Sequence, residues 1–383
     1  MAAFSGLSGV AGIAGLSTCA SAQTDWPADW PADSLKAIAR SRGLRFGSAL
    51  GGQEPESQQR FGFADPAYRA LIARECELLV HENEMKWQAL RPSRDRFEFT
   101  RADAILQWAE TQGLSTRGHT LLWQAPRWLP AWLNQLDFGS TPVKAAEAIL
   151  REHIRTVTQR YGRRIMSWDV VNESVAHEDG ELRANAFSPH LGTFGQVELA
   201  FRYAAEYAPH AELVYNDYMG MGRYFIKHRA GVLKLLDGLR KRDAPVHALG
   251  LQAHVGTSAN GEWSGRGGED EREWRRFLDE VTGMGLKLLI TEFDVSDQHL
   301  LADTARRDTE VAAIGKAFLD ITLSYRQLRD VLCWGMADAY SWLQVFGPRT
   351  DQLMKRGTPY DAHLQPKPLR QALAAALRAA PPR

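Results

Sequence analysis

Two glutamates in matching surroundings carry the chemistry open to this chain. Glu173 closes the run Trp168-Asp169-Val170-Val171-Asn172-Glu173, and Glu292 sits in Leu288-Leu289-Ile290-Thr291-Glu292-Phe293-Asp294. Each follows an apolar run of the kind that forms a buried strand. A carboxyl group at the end of such a strand costs desolvation and adds nothing to packing. Its presence there points to chemistry. Two carboxyls, distant in sequence but alike in context, can act as an acid/base and a nucleophile. That pair is the minimum equipment for breaking a glycosidic bond.

Such a pair needs a scaffold that brings distant strand ends together. From residue 45 onward, short apolar runs alternate with amphipathic stretches. Eight runs read as strands: 45–50, 78–81, 116–122, 166–172, 212–215, 248–253, 287–291 and 331–335. Several are almost continuously apolar, as strands buried on both faces must be. Between them lie helical patterns near 144–161, 196–208, 226–239, 271–284, 307–323 and 368–377. Another is expected to be capped by Thr100, with Asp103 completing a partial capping box and Gly113 just past its end. Eight βα repeats predict a single α/β domain, a (β/α)8 TIM barrel. In that fold the active site lies at the C-terminal ends of the strands.

Those ends are unusually polar. After the second strand come Glu82, Asn83, Lys86 and Trp87; the third carries His119 and Trp123; the fourth ends in Asn172 and Glu173. The fifth supplies Asn216, Asp217 and Tyr218, the sixth Gln252 and His254, and the seventh Glu292 and Asp294. The eighth supplies Trp334, followed by Asp338, Tyr340 and Trp342. Taken singly, His119 reads as a satisfied core histidine and Trp87 as packing, while Asp217 fits a scaffold or a site equally. Core packing does not explain polar residues at seven consecutive strand ends. Asn, Gln, His, Lys and Glu hydrogen-bond sugar hydroxyls. Tryptophan stacks on the apolar face of a pyranose while keeping its N–H free to donate.

Other chemistries fit less well. Gly51-Gly52 and Gly265-x-Gly267-Gly268 read as loop glycines rather than a phosphate cradle. The first strand lacks a His-x-His pair, so no metal is expected, and no cofactor. The 46 basic and 46 acidic residues cancel, leaving no basic bias toward nucleic acid. Cys19, Cys76 and Cys333 show neither metal spacing nor a disulfide framework. Cys76 reads as a helix residue and Cys333 as a strand residue, both as buried apolar fillers.

Residues 1–22, rich in Ala, Gly and Ser and ending in Ala20-Ser21-Ala22, read as an export signal without its basic start. Residues 23–40, with the duplicated tract 25–33, read as a linker or N-terminal strap, and 41–380 as the catalytic domain. A secreted or periplasmic monomer with no membrane attachment after signal removal is expected.

The motifs match a family. ENEMKW (82–87), RGHTLLW (117–123), WDVVNE (168–173), YNDY (215–218), GLQAH (250–254), ITEFD (290–294) and WGMADAYSW (334–342) resemble those of the family-10 glycoside hydrolases, retaining endo-1,4-β-xylanases. The resemblance covers about residues 40–378 and implies the following roles. Glu173 is the acid/base and Glu292 the nucleophile. Asn172 holds the 2-hydroxyl of the sugar being cleaved, and His254, braced by Asp294, hydrogen-bonds the nucleophile. Lys86, His119, Gln252 and Trp334 line the subsite on the non-reducing side of the scissile bond. Glu82 and Asn83 bind one sugar further out, while Tyr218 and Trp342 face the leaving group. The rim residue Trp123 is expected to contact substrate as well.

The sequence departs from the family after Trp123, where Gln124-Ala125-Pro126 shortens a turn that commonly carries His, Gln and a later proline. Gln124 is expected to replace part of those contacts. Ser174, Phe293 and Ala337 stand where alanine, leucine and threonine are common. A β-1,4-glucanase or mixed-specificity glycanase is the alternative, decided by crowding near Trp334. A non-catalytic sugar-binding barrel is disfavoured because both glutamates are present.

Overall fold

The computed structural model describes residues 32–52, 59–256 and 268–383. The export-signal reading, Cys19, most of the duplicated tract, Gly265 and Gly267 fall outside these residues. The strands are β1 (Arg45–Leu50), β2 (Leu78–His81), β3 (Ser115–Trp123), β4 (Ile165–Asn172), β5 (Glu212–Asp217), β6 (Ala248–Leu251), β7 (His254–Gly256), β8 (Lys287–Ser296) and β9 (Leu328–Cys333). All pair in parallel. β1 joins β9 and β6 joins β8, so β1–β6, β8 and β9 close into an eight-stranded barrel wrapped by helices, a (β/α)8 barrel.

The short β7 lies outside that count. It pairs with the upper part of β8, His254 opposite Asp294. The sixth expected strand, 248–253, therefore breaks after Leu251, and Ala253 adopts a left-handed φ of 62°. The seventh runs on to Ser296, so Glu292 lies within a strand and not at its end. The eighth begins three residues earlier than expected, at Leu328.

The main expected helices form within a few residues of their limits. Thr100 does not cap its helix: the N-cap position is Phe99, and the Thr100 N–H is taken by Glu98 Oε1 at 2.9 Å. Gly113, at φ 67°, does stand just past the end, where a residue without Cβ adopts the left-handed turn at little cost. Pro66–Glu75 is a helix that the periodicity missed, capped by Asp65 onto the Ala67 N–H and opened by Pro66. Leu35–Arg40, assigned to the linker or strap, is also helical. Its Leu35, Ile38 and Ala39 are buried, and it packs on the last helix, Pro368–Ala379. The packed fold thus starts before residue 41. Cys76 lies one residue beyond its helix and Cys333 ends β9; both are buried and free.

Small apolar side chains fill the barrel: Val214, Ala248 and Leu289 in one group, and Ala49, Leu78, Val80 and Leu332 under Trp334 in another. Charges enter only when paired, since an unpaired buried charge costs several kcal/mol, roughly 3–5 in mutational data. Arg45, which opens β1, forks onto Asp330 at 2.7 and 2.9 Å. Arg117, fully buried, reaches Asp169 at 2.5 Å.

Candidate active site

The strands that carry the two glutamates are irregular where the glutamates sit. Between Ile290 and Phe293, β8 has one residue more than β9, a bulge that contains Glu292. β4 has one residue more than β5 between Asp169 and Val171. Bulges turn side chains away from the regular pleat. Glu173 itself adopts φ 52°, an uncommon conformation for a residue with a Cβ and one that costs energy unless its surroundings hold it. Its N–H is held by the Asn216 carbonyl at 2.9 Å, and the Glu292 N–H by the Gln252 carbonyl at 3.0 Å.

Amides link the two carboxylates. Asn216 Nδ2 donates to Glu292 Oε1 at 2.7 Å and to Asn172 Oδ1 at 2.9 Å. Gln252 Nε2 donates to the same Asn172 oxygen at 3.2 Å and to Glu173 Oε1 at 3.1 Å. The chain Glu292–Asn216–Asn172–Gln252–Glu173 fixes both carboxyls to one constellation. It leaves Asn172 Nδ2, fully buried, with no protein partner among the described residues. A buried donor without a partner costs about 1–3 kcal/mol, and a sugar hydroxyl would satisfy it.

Around Glu292, 5% exposed, the field is positive. His254 Nε2 lies 3.3 Å from Glu292 Oε2, and its Nδ1 lies 3.1 Å from Asp294 Oδ1. Asp294 is steadied by the Trp342 indole N–H at 2.7 Å, and the Trp342 ring lies 4.8 Å from the His254 ring. Burial opposes charge on His254, but Asp294 and Glu292 outweigh it and push its pKa up to about 10. Burial likewise opposes charge on Glu292. The His254 hydrogen bond and the nearby His119 outweigh it and hold the carboxyl below its ordinary value.

Around Glu173 the balance is reversed. Burial and the negative charge of Asp217, with a smaller contribution from Glu292, hold its carboxyl above the ordinary value; Gln252 and the Trp123 indole act against them. Asp217 is fully buried. It accepts from the Tyr215 hydroxyl and the Tyr218 N–H, and lies 3.1 Å from His228 Nε2.

The rest of the expected rim divides. His119 Nδ1 lies 3.0 Å from Asp169 Oδ2, and its ring meets Trp334 edge-on at 5.3 Å. Lys86 donates to Asn83 Oδ1 at 2.6 Å and lies over the Trp123 ring at 4.9 Å. Trp123 stacks on Trp128, a residue the sequence reading did not select, at 4.5 Å. Glu82 accepts from Gln59 Nε2 at 2.6 Å. The Tyr218 hydroxyl is held by His177 at 2.9 Å and Arg183 at 2.6 Å. Trp87 is core, stacked on His153 at 3.8 Å.

Gln124 faces inward from the expected rim. It is fully buried and spends its amide on the carbonyls of Arg183 and Thr193, at 2.7 and 3.1 Å. Its Nε2 clamps the segment that follows Glu173, and its Oε1 is buried without a partner among the described residues. Asn216 and Asp217 carried no assigned role in the sequence. Both stood on the expected rim, but their importance lies in contacts that cross from β5 to β4 and β8.

The family model of glycosyl hydrolase family 10 matches residues 34–376. Endo-1,4-beta-xylanase B of Paenibacillus barcinonensis is 32% identical over 310 residues, 77% of this chain and 87% of that protein. The endo-1,4-beta-xylanase of Geobacillus stearothermophilus is 32% identical over 319 residues, 79% and 87%. Among solved structures, xylanase 10B of Thermotoga petrophila RKU-1 in complex with xylobiose superposes with a TM-score of 0.77 at 28% identity, over 90% of this chain and 97% of that one. A closed barrel with paired glutamates and an amide bridge, matched by one family model from its first helix into its last, places this chain in glycosyl hydrolase family 10.

Proposed function

We propose that this glycoside hydrolase cleaves internal β-1,4-xylosidic linkages of xylan with retention of anomeric configuration, Glu292 attacking and Glu173 serving as acid and then base. The observation that carries the assignment is the opposite electrostatic setting of two carboxyls joined by one chain of amides. Glu292, held charged, attacks the anomeric carbon. Glu173, held protonated, gives its proton to the departing oxygen. The glycosyl ester that forms removes the charge of Glu292. The Glu173 pKa then falls, because one of the charges opposing its ionisation has gone. Glu173 can then deprotonate the water that cleaves the ester, and both carboxyls return to their starting states.

Asn172 offers its free Nδ2 to the 2-hydroxyl. Lys86, His119, Gln252 and Trp334 line the subsite on the non-reducing side, Glu82 and Asn83 the next one out, and Tyr218 and Trp342 the leaving-group side. Trp342 also anchors Asp294. Xylan is the substrate class of the named relatives, and in this reading Trp334 forms the wall that excludes a hydroxymethyl group. A polymeric substrate outside the cell calls for export, in keeping with the composition of residues 1–22. Product analysis on glucuronoxylan and on carboxymethylcellulose side by side tests this reading. Short xylo-oligosaccharides from the first alone are expected; equal release from the second would overturn xylan specificity.

A further inference from the structure

Asn216 reaches Glu292 across a whole strand. It lies on β5, Glu292 lies on β8, and β6 runs between them. The β6 residue directly opposite Asn216 in the register is Gly250. A Cβ on Gly250 would stand 2.3 Å from Asn216 Oδ1 and 3.1 Å from both Asn216 Cγ and Thr291 Cγ2. Ordinary contact between carbon atoms lies at roughly 3.5–4.0 Å, so a side chain there would close the crossing. Gly250 sits in a strand and is not among the residues of positive φ. The space, and not the backbone, calls for glycine.

On the far side, β8 offers two consecutive residues to one amide. Thr291 Oγ1 donates to Asn216 Oδ1 at 2.7 Å, and Asn216 Nδ2 donates to Glu292 Oε1 at 2.7 Å. In a regular strand, consecutive side chains point to opposite faces. Here the bulge between Ile290 and Phe293 holds both residues and lets both meet Asn216. The amide is fully matched. Its oxygen receives the Thr291 hydroxyl, and its nitrogen gives to Glu292 and Asn172. Turned over, it would set an oxygen against the Glu292 carboxylate.

We propose that Gly250 and Thr291 form the seat of Asn216 and are thereby positioning residues for the nucleophile. Gly250 leaves the passage across β6 open, and the Thr291 hydroxyl holds the amide at its far end. Both act through Asn216. The inference rests on the reading of Glu292 as nucleophile.

The test is a pair of double-mutant cycles on kcat/KM for an unbranched xylo-oligosaccharide. Alone, Thr291→Val is expected to lower kcat/KM about tenfold, since it leaves the buried Asn216 oxygen without its donor. Thr291→Ser, which keeps the hydroxyl, should stay close to the wild type. Gly250→Ala should cost about as much as Asn216→Ala. In an Asn216→Ala background neither Thr291→Val nor Gly250→Ala should cost anything further, because residues that act through one partner are not additive. Losses that add in full in that background, wild-type activity in Thr291→Val, or equal damage from Thr291→Val and Thr291→Ser would overturn the proposal. Should Gly250→Ala fail to fold, the Thr291 cycle decides alone. A wild-type enzyme whose Glu292 takes no covalent label from a 2-deoxy-2-fluoro glycoside would instead strike the nucleophile reading itself.

Discussion

The upper part of β8 and the end of β4 present the same functional group in opposite fields. At β8, Glu292 faces a histidine made cationic by Asp294, and two amide and imidazole donors converge on its oxygens. At β4, Glu173 receives one neutral amide, with Asp217 buried behind it. The chemical roles of two glutamates thus follow from their neighbours. A charged nucleophile needs donors and a counter-ion. An acid needs burial and a like charge.

Removing either carboxyl breaks the comparison most severely. Glu292→Ala should lower kcat by about 10⁴-fold or more on every substrate, since loss of a nucleophile removes the covalent route. Release of a chromogenic aglycone from an aryl xylobioside measures it. Glu173→Ala should cost about 10²–10⁴-fold on xylan, the usual contribution of general acid/base catalysis. It should spare the first step for aryl glycosides with good leaving groups. Azide should restore turnover and give a β-glycosyl azide; an α-azide would contradict the assignment.

Asn216→Ala should injure both sides at once. It leaves Glu292 Oε1 and Asn172 Oδ1 without the donor they share, at a cost of about 1–3 kcal/mol, or roughly 5- to 150-fold in kcat/KM. Steady-state kinetics with a folded, thermally stable variant measure the loss.

Paired shifts in the pH profile sharpen the contrast. In the wild type, activity rises as Glu292 ionises, at a pKa below the ordinary glutamate value. It falls as Glu173 loses its proton, at a pKa above that value. Asp217→Asn removes a like charge, lowers the Glu173 pKa and should move the alkaline limb of kcat/KM down by about one pH unit. His254→Asn removes a counter-ion, raises the Glu292 pKa and should move the acid limb up by a similar amount, about one unit. Each should leave the other limb in place; movement of both limbs in either variant would refute the separation of the two fields.

Much of this was legible in the chain. Apolar runs as continuous as Leu288–Ile290 fit strands buried on both faces, and eight of them alternating with helical patterns imply a barrel, so the strands, the rim and the two glutamates could be read directly. The helix Pro66–Glu75 was obscured because one of its four buried residues is Glu75. That carboxylate is buried among the Leu35 N–H, the Tyr360 hydroxyl and Arg370, partners that come from remote segments. The bulge at Glu292 arises from the register between β8 and β9, which neither strand encodes alone. Gln124 could be recognised as polar but not as inward-facing, since its acceptors belong to a segment some sixty residues on. Asn216 stood in view at a strand end; its bond to Glu292 exists only once β5 and β8 share one barrel.

The division of labour between the two carboxyls can be read from a trapped intermediate. Incubation with a 2-deoxy-2-fluoro-β-xylobioside carrying a good leaving group, then proteolysis and peptide mass analysis, should show one fluoroxylobiosyl adduct, on the peptide containing Glu292 and on that residue. An adduct on Glu173, or hydrolysis without any adduct and with inverted anomeric configuration, would contradict the account.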